Sequence, residues 1–224
     1  LALENLRDTA RQVVDPLKGR LRLGVIPTLG PYALPYVDPA LREAFPDLDL
    51  VWREEKTESL VEALASGDLD AALVALEADL GDVEHEVLAT DRFVLAAPVG
   101  HRLGRSSRPV GVDELEGEGV LLLEDGHCFR NQALELCAAA GTRELGFRAT
   151  SLATLSQMVA GGAGITLLPR LAAGVEGRNE KLRIREFKRP VPKRTIALIW
   201  RRGSALADAL RAVAEAARKA MPAS

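Results

Sequence analysis

From Arg20 to Leu76 the chain alternates short apolar runs with amphipathic helical stretches, and this alternation constrains the fold more than any other feature. RLRLGVIPT reads as a strand, Pro31 to Phe45 as a helix and LDLVWRE as a strand. Thr57 to Ser66 then reads as a helix stopped by Gly67-Asp68, and DAALVAL (Asp70 to Leu76) as a third strand. Strands joined by helices of this length form parallel β-α-β units, so these three strands are expected to be neighbours in one open sheet.

The pattern changes from Val83. VEHEVLAT and RFVLAAP are adjacent strand-like stretches with no helix between them, followed by the loop GHRLGRSSRP and a short helix at Val112 to Leu115. A second alternating series follows: GVLLLE as a strand, a helix over about Arg130 to Ala140, FRAT as a strand, a helix from Ser151 to about Gly161, and AGITLLP as a strand. LRIREF and TIALIW add two strands, and Gly203 to Met221 reads as a long amphipathic helix. Two α/β series interrupted mid-chain predict two subdomains. If TIALIW and the last helix return to the first, two connections cross, as in periplasmic-binding-protein-like folds. The expected division is residues 19–90 and 194–224 in subdomain I and residues 91–193 in subdomain II. Leu3, Leu6, Ala10, Val13, Val14 and Leu17 share one helical face with no N-cap before Leu1. Residues 1–18 are therefore read as the end of a linker helix, and the chain as part of a longer protein.

Composition limits the function classes. With 47% hydrophobic residues the chain can bury a real core. It has no apolar run of the ~18 to 20 residues a membrane span needs, and no signal peptide, so a soluble cytoplasmic protein without membrane partners is expected. The formal net charge is −3 with acids and bases mixed throughout. A nucleic-acid-binding face is usually basic, so any DNA contact is expected to lie elsewhere.

No recognised metal spacing links His85, His101 or His127 to another ligand, and there is no nucleophile elbow and no phosphate-binding Walker loop. Neither a metal nor a cofactor is expected. Gly161-Gly162-Ala163-Gly164 follows a helix and precedes a strand, the reverse of dinucleotide-binding order, and reads as a helix C-cap and turn.

The chemistry concentrates in LLLEDGHCFRNQALELC, Leu121 to Cys137. Cys128 falls in the expected first turn of a helix, after His127 and before Arg130. A thiol there faces unpaired backbone N–H groups and the positive end of the helix dipole, a setting that favours the nucleophilic thiolate. The alternative is a small buried hydrophobe, the commonest role of a free cysteine. Cys137, on the apolar side of the same helix, reads alone as structural. If one helix joins the pair, their nine-residue separation is about 13 to 14 Å along the axis. A disulfide needs Cα atoms within roughly 4.4 to 6.8 Å. The pair could then be bridged only by unwinding the helix, which is the physics of a switch.

EDGHC-F-R-N-Q-A, the second cysteine, FRATSLATL and GITLLP resemble the sensor region of the LysR-type transcription regulators that respond to hydrogen peroxide. IPTLGPYALP (Ile26 to Pro35) and the TxxLxxxLxxGxLD pattern from Thr57 to Asp70 fit too, so the resemblance runs from about Gly19 to the end. The GHC segment with its second cysteine is specific, whereas the other motifs are shared widely among LysR-type regulators. The resemblance implies an α/β LysR-type regulatory domain of two periplasmic-binding-protein-like subdomains. It implies that Cys128 is the peroxidatic cysteine and Cys137 the resolving one. Thr28 and Thr57 match hydroxyl residues lining the peroxide pocket, His127 flanks it, and Arg194 in KRTI matches a basic residue near the thiol. Arg130, in the cysteine-bearing segment, joins this peroxide-binding set.

The resemblance further implies a stoichiometric sensor, not an enzyme, oxidised to a sulfenic acid and then a disulfide. Glutaredoxin or thioredoxin would reset it. Homodimers or homotetramers would contact promoter DNA through an N-terminal winged helix-turn-helix domain outside this chain, and RNA polymerase there. The sequence departs from the pattern at Gly146, where a basic histidine commonly precedes the phenylalanine, after a loop one residue longer. Each residue also has a plainer reading: Thr28 as a strand-end hydroxyl, Thr57 as a helix N-cap, Arg194 as a strand-edge charge, Glu124 and Asp125 as strand terminators. Two other functions stay open at this point, a LysR-type receptor for a small organic effector and a thiol peroxidase.

Overall fold

The computed structural model describes residues 17–222. The first half of the chain contains β1 (Gly19–Val25), α1 (Gly30–Ala44), β2 (Leu48–Glu54), α2 (Thr57–Ser66), β3 (Ala71–Ala75) and β4 (Val83–Pro98). After two short 3-10 turns follow β5 (Gly119–Leu123), α3 (Cys128–Ala139), β6 (Arg143–Ala149), α4 (Leu152–Ala160), β7 (Thr166–Pro169), α5 (Arg170–Glu176), β8 (Leu182–Glu186), β9 (Lys193–Arg201) and α6 (Ala207–Ala220). The helix expected over Leu1 to Leu17 lies outside the described residues, apart from Leu17.

The chain divides into two compact units. One takes the chain up to Ala89 and again from Thr195, and the other runs from Thr90 to Arg194. The chain passes between them twice, within β4 and within β9. Thr90 and Arg194 thus belong to the second unit, each one residue from where the sequence alone divides the chain.

In the first unit β1 lies between β2 and β3 and is parallel to both. The neighbourhood expected from the β-α-β alternation is the one observed. From Thr195 onward β9 joins antiparallel to β3, with Ala72 opposite Ile199 and Val74 opposite Ala197. Leu21, Leu23, Val25, Leu73 and Val74 are buried, each contributing about 1.5 to 3 kcal/mol by leaving water. Gly24 is small for a reason: a Cβ there would come within 2.6 Å of Leu60 Cδ2 and 2.9 Å of Leu69 Cδ1. Its absence lets α2 settle close onto β1. The amphipathic α6 buries Leu210, Val213, Ala214 and Ala217 and packs beside α1.

In the second unit β4 is flanked by antiparallel partners, β7 along Phe93 to Ala96 and β8 along Val94 to Pro98. Its companion β5 is parallel to β6 and buried from Val120 to Leu123, matching its unbroken apolar run. Thr166 Oγ1 donates to the Leu121 carbonyl at 2.7 Å, tying β7 to β5. The loop after β4 is fixed by buried Arg185, whose Nε and Nη1 donate to the carbonyls of Arg108 and Leu103 at 2.7 and 3.0 Å.

Two expectations need correction. VEHEVLAT and RFVLAAP form one continuous 16-residue strand, β4, because the chain leaves one unit for the other without turning. The seven-residue helix α5 has no counterpart in the sequence reading. Seven residues containing Gly174 give too little periodicity to be recognised. No helix of the described residues is long and apolar enough to cross a membrane.

Candidate functional site

The site is built on the turn between β5 and α3. Gly126 adopts φ +90°, a conformation other residues reach only with strain. This turn lets the chain reverse from the end of β5 into α3, whose N-cap is His127 and whose first helical residue is Cys128. The expected helix therefore starts two residues earlier than its periodic core and includes the cysteine. His127 and Cys128 are both buried, at 5% and 9% exposure.

Cys137 lies in the same helix, 4% exposed, and both thiols are free. Nine residues at 3.6 per turn place the two about half a turn out of phase and roughly 13 Å apart along the axis. Burial pushes the Cys137 thiol up from its ordinary value, a hydrogen bond with Thr142 pulls it down, and the charge of Glu144 adds to the rise. The helix ends at Ala139, two residues beyond Cys137; Gly141 (φ +66°) then turns the chain, and Thr142 N–H and Oγ1 both donate to the Cys137 carbonyl at 3.1 Å.

Phe129 follows Cys128 into the interior of the second unit and meets Phe93 of β4 edge-to-face, centroids 5.0 Å apart. The Arg194 guanidinium lies over the Phe129 ring, 5.5 Å from its centroid. This overturns the strand-edge reading of Arg194, which is completely buried and ion-paired with equally buried Asp91. Oδ1 of Asp91 accepts from the Leu171 backbone N–H at 3.1 Å, reaching the start of α5. The structure thus brings Arg194 against Phe129, the residue that follows Cys128 in α3.

Arg130 is also buried. Its Nε donates to Asp125 Oδ1 at 2.8 Å, Nη1 donates to the Leu123 carbonyl at 3.2 Å, and Nη1 lies 3.1 Å from Glu144 Oε1. Asp125 is engaged a second time by Arg148 Nη1 at 2.5 Å. Asp125 is therefore part of an ion-pair network and not only a strand terminator.

Thr28 and Thr57 belong to the first unit. Thr28 is buried in the turn between β1 and α1. Thr57 is not the N-cap of α2: that position is Lys56, and Thr57 is the first helical residue. Its Oγ1 is buried without a hydrogen-bond partner among the described residues. Gly146, in β6, has no positive φ, and a Cβ added there would meet nothing within 4 Å. The backbone thus does not force this departure from the family pattern. Among the described residues, no group of three or more His, Cys, Asp or Glu could hold a metal ion.

Asp91, Phe93, Glu144 and Arg148 carry no local signal in the sequence that marks them as part of this site. Asp91 reaches Arg194 across 103 positions, and no local pattern announces such a pairing. Arg148 lies inside the recognised FRAT motif, but nothing there identifies Asp125 as its partner.

A family model for the LysR substrate binding domain matches residues 15–222. The DNA-binding transcriptional dual regulator OxyR of Escherichia coli K12 is 41% identical over 217 residues, 96% of this chain and 71% of that protein. The crystal structure of the reduced form of OxyR superposes with a TM-score of 0.83 at 39% identity, covering 92% of this chain and 97% of that one. The oxidised form gives a TM-score of 0.82 at 41% identity, covering 90% and 95%.

Proposed function

The chain belongs to the LysR substrate-binding-domain family, and from that premise we propose that it is the peroxide-sensing regulatory domain of an OxyR-type transcription regulator. One observation carries the cysteine assignment. Cys128 opens α3, and Cys137 lies half a turn out of phase in the same helix, so the two can bond only if α3 unwinds. Oxidation then becomes a choice between two backbone arrangements.

The thiolate of Cys128 attacks one oxygen of hydrogen peroxide. The S–O bond forms, the O–O bond breaks, hydroxide leaves, and Cys128 becomes a sulfenic acid. His127 and Arg194 act beside the thiol. Arg130 acts from within α3, holding the turn that presents Cys128. The family resemblance assigns Thr28 and Thr57 as peroxide-binding hydroxyls. Cys137 then displaces hydroxide from the sulfenic sulfur to give the disulfide.

The changed α3 segment alters packing in homodimers or homotetramers. That reorients winged helix-turn-helix domains on promoter DNA and their contact with RNA polymerase. A thiol reductant, glutaredoxin or thioredoxin, resets the disulfide in the cytoplasm. The protein is a sensor oxidised once per signal, without metal or cofactor, and not an enzyme.

The test is near-stoichiometric peroxide followed by thiol trapping and peptide mapping by mass spectrometry. A Cys128–Cys137 disulfide is expected in the unsubstituted chain, with no oxidation product at residue 128 of a folded Cys128→Ser variant. A stable sulfenic acid at Cys128 would keep the sensor and remove the disulfide step. Two unreactive thiols, with a metabolite raising the melting temperature, would replace the proposal with a small-effector receptor.

A further inference from the structure

The network around Arg130 is a closed ring. Glu144 of β6 lies 3.1 Å from Arg130 Nη1 and 3.5 Å from Arg148 Nε, while Asp125 takes Arg130 Nε at 2.8 Å and Arg148 Nη1 at 2.5 Å. The ring joins three pieces of backbone: the turn before Cys128, the first turn of α3, and the strand that follows Cys137. Bringing Cys137 to Cys128 requires α3 to unwind, and unwinding at Arg130 pulls its guanidinium away from Glu144. Arg130 is only 5% exposed, so its charge depends on these partners far more than a surface arginine would.

We propose that Glu144 is a positioning residue that brakes the resolving step: by holding Arg130 it keeps α3 wound and sets how long oxidised Cys128 waits for Cys137. The proposal rests on the peroxide-sensor reading above. Glu144 touches neither sulfur in the reaction and acts through Arg130. Its charge also works with burial to keep the Cys137 thiol protonated while α3 is wound. When α3 opens, Cys137 loses its proton to water and attacks Sγ of Cys128. The S–S bond forms, the S–O bond breaks, and the departing hydroxide recovers the proton as water. Peroxide is the only oxidant the sequence consumes.

A merely structural role for the ring predicts lower stability on substitution and no separation of the two chemical steps. A brake predicts that they separate. The experiment follows sulfenic acid and disulfide by rapid quench and mass spectrometry in the unsubstituted chain, Glu144→Gln and Arg148→Ala. Sulfenic acid formation at Cys128 is expected to stay within about twofold in all three, while the disulfide forms about three- to tenfold faster in Glu144→Gln. Arg148→Ala, which removes the more exposed arm of the ring, gives a smaller acceleration and serves if Glu144→Gln does not fold. Raising salt to about 0.5 M is expected to speed the disulfide step of the unsubstituted chain and leave that of Glu144→Gln unchanged. A normal sulfenic acid rate with an equal or slower disulfide step overturns the brake alone. Absence of any sulfenic acid at Cys128 in the unsubstituted chain overturns the sensor reading, and the brake with it.

Discussion

Asp91 and Arg194 meet as an ion pair with neither side chain exposed, Nε and Nη2 of the arginine 3.0 and 2.9 Å from one carboxylate oxygen. The pair fixes the guanidinium that lies over Phe129, next in the chain to Cys128. Truncating Asp91 takes its carboxylate away from a fully buried guanidinium, so Asp91→Ala is expected to cost about 3 to 5 kcal/mol of stability. Urea denaturation of the second unit's transition measures it. A loss below about 1 kcal/mol, the scale of an exposed pair, would mean that water reaches Arg194.

Gly126 holds the turn that delivers Cys128 to the start of α3. At φ +90° an added Cβ is strained whatever space surrounds it, and Gly126→Ala should lower stability by about 1 to 2 kcal/mol. The opposite sign is informative. At a position with ordinary backbone angles the same change stabilises by about 0.4 to 1 kcal/mol, through the unfolded chain. A stabilised variant would therefore show that the turn does not need its left-handed residue.

What was legible in the sequence depended on the range of the interaction. β1, β2, β3 and the helices between them follow from local periodicity, and so does α3 with its cysteine. The single strand β4 did not, because its two halves carry different burial patterns in two different units. The cysteine-bearing motif was recognisable from contiguous residues. Arg194 stands out in the sequence only through its motif, and its burial beside Asp91 has no local sign because the pairing spans 103 positions. The Asp125–Arg130–Glu144–Arg148 ring was hidden for a related reason. Arg130 reads as a peroxide-binding residue and Asp125 as a strand terminator, and their pairing with Glu144 and Arg148 emerges only once β6 is paired with β5.

Thr57 separates a binding role from a structural one. Its buried Oγ1 has no hydrogen-bond partner among the described residues, so replacing it with the isosteric Thr57→Val removes an unsatisfied group and should leave stability unchanged or raise it by up to about 1 kcal/mol. A hydroxyl that binds peroxide has a different signature. Thr57→Val is expected to slow sulfenic acid formation at Cys128 by about five- to tenfold, the size of one lost hydrogen bond, with Thr57→Ser close to unsubstituted. An unchanged oxidation rate in a folded Thr57→Val chain would take Thr57 out of the peroxide site.

Cys137 links pH to stability through its burial. Loss of water around the sulfur pushes its thiol above the ordinary value, partly offset by the hydrogen bond with Thr142 and reinforced by the charge of Glu144. The folded chain therefore holds this proton more tightly than the unfolded chain does. That contribution is complete below the unfolded thiol's pKa of about 8.5 and is lost as pH rises toward the folded value. Under reducing conditions, the urea midpoint of the unsubstituted chain should fall more steeply above about pH 8.5 than that of Cys137→Ala, since Cys128 and all lysines are common to both. The same burial predicts slow alkylation of Cys137 by iodoacetamide at neutral pH, accelerating in urea below the global transition as α3 opens. Parallel pH curves for the two chains, together with alkylation at the rate of a free thiol, would mean that Cys137 is already open to solvent. The wound helix would then impose no delay on the resolving step.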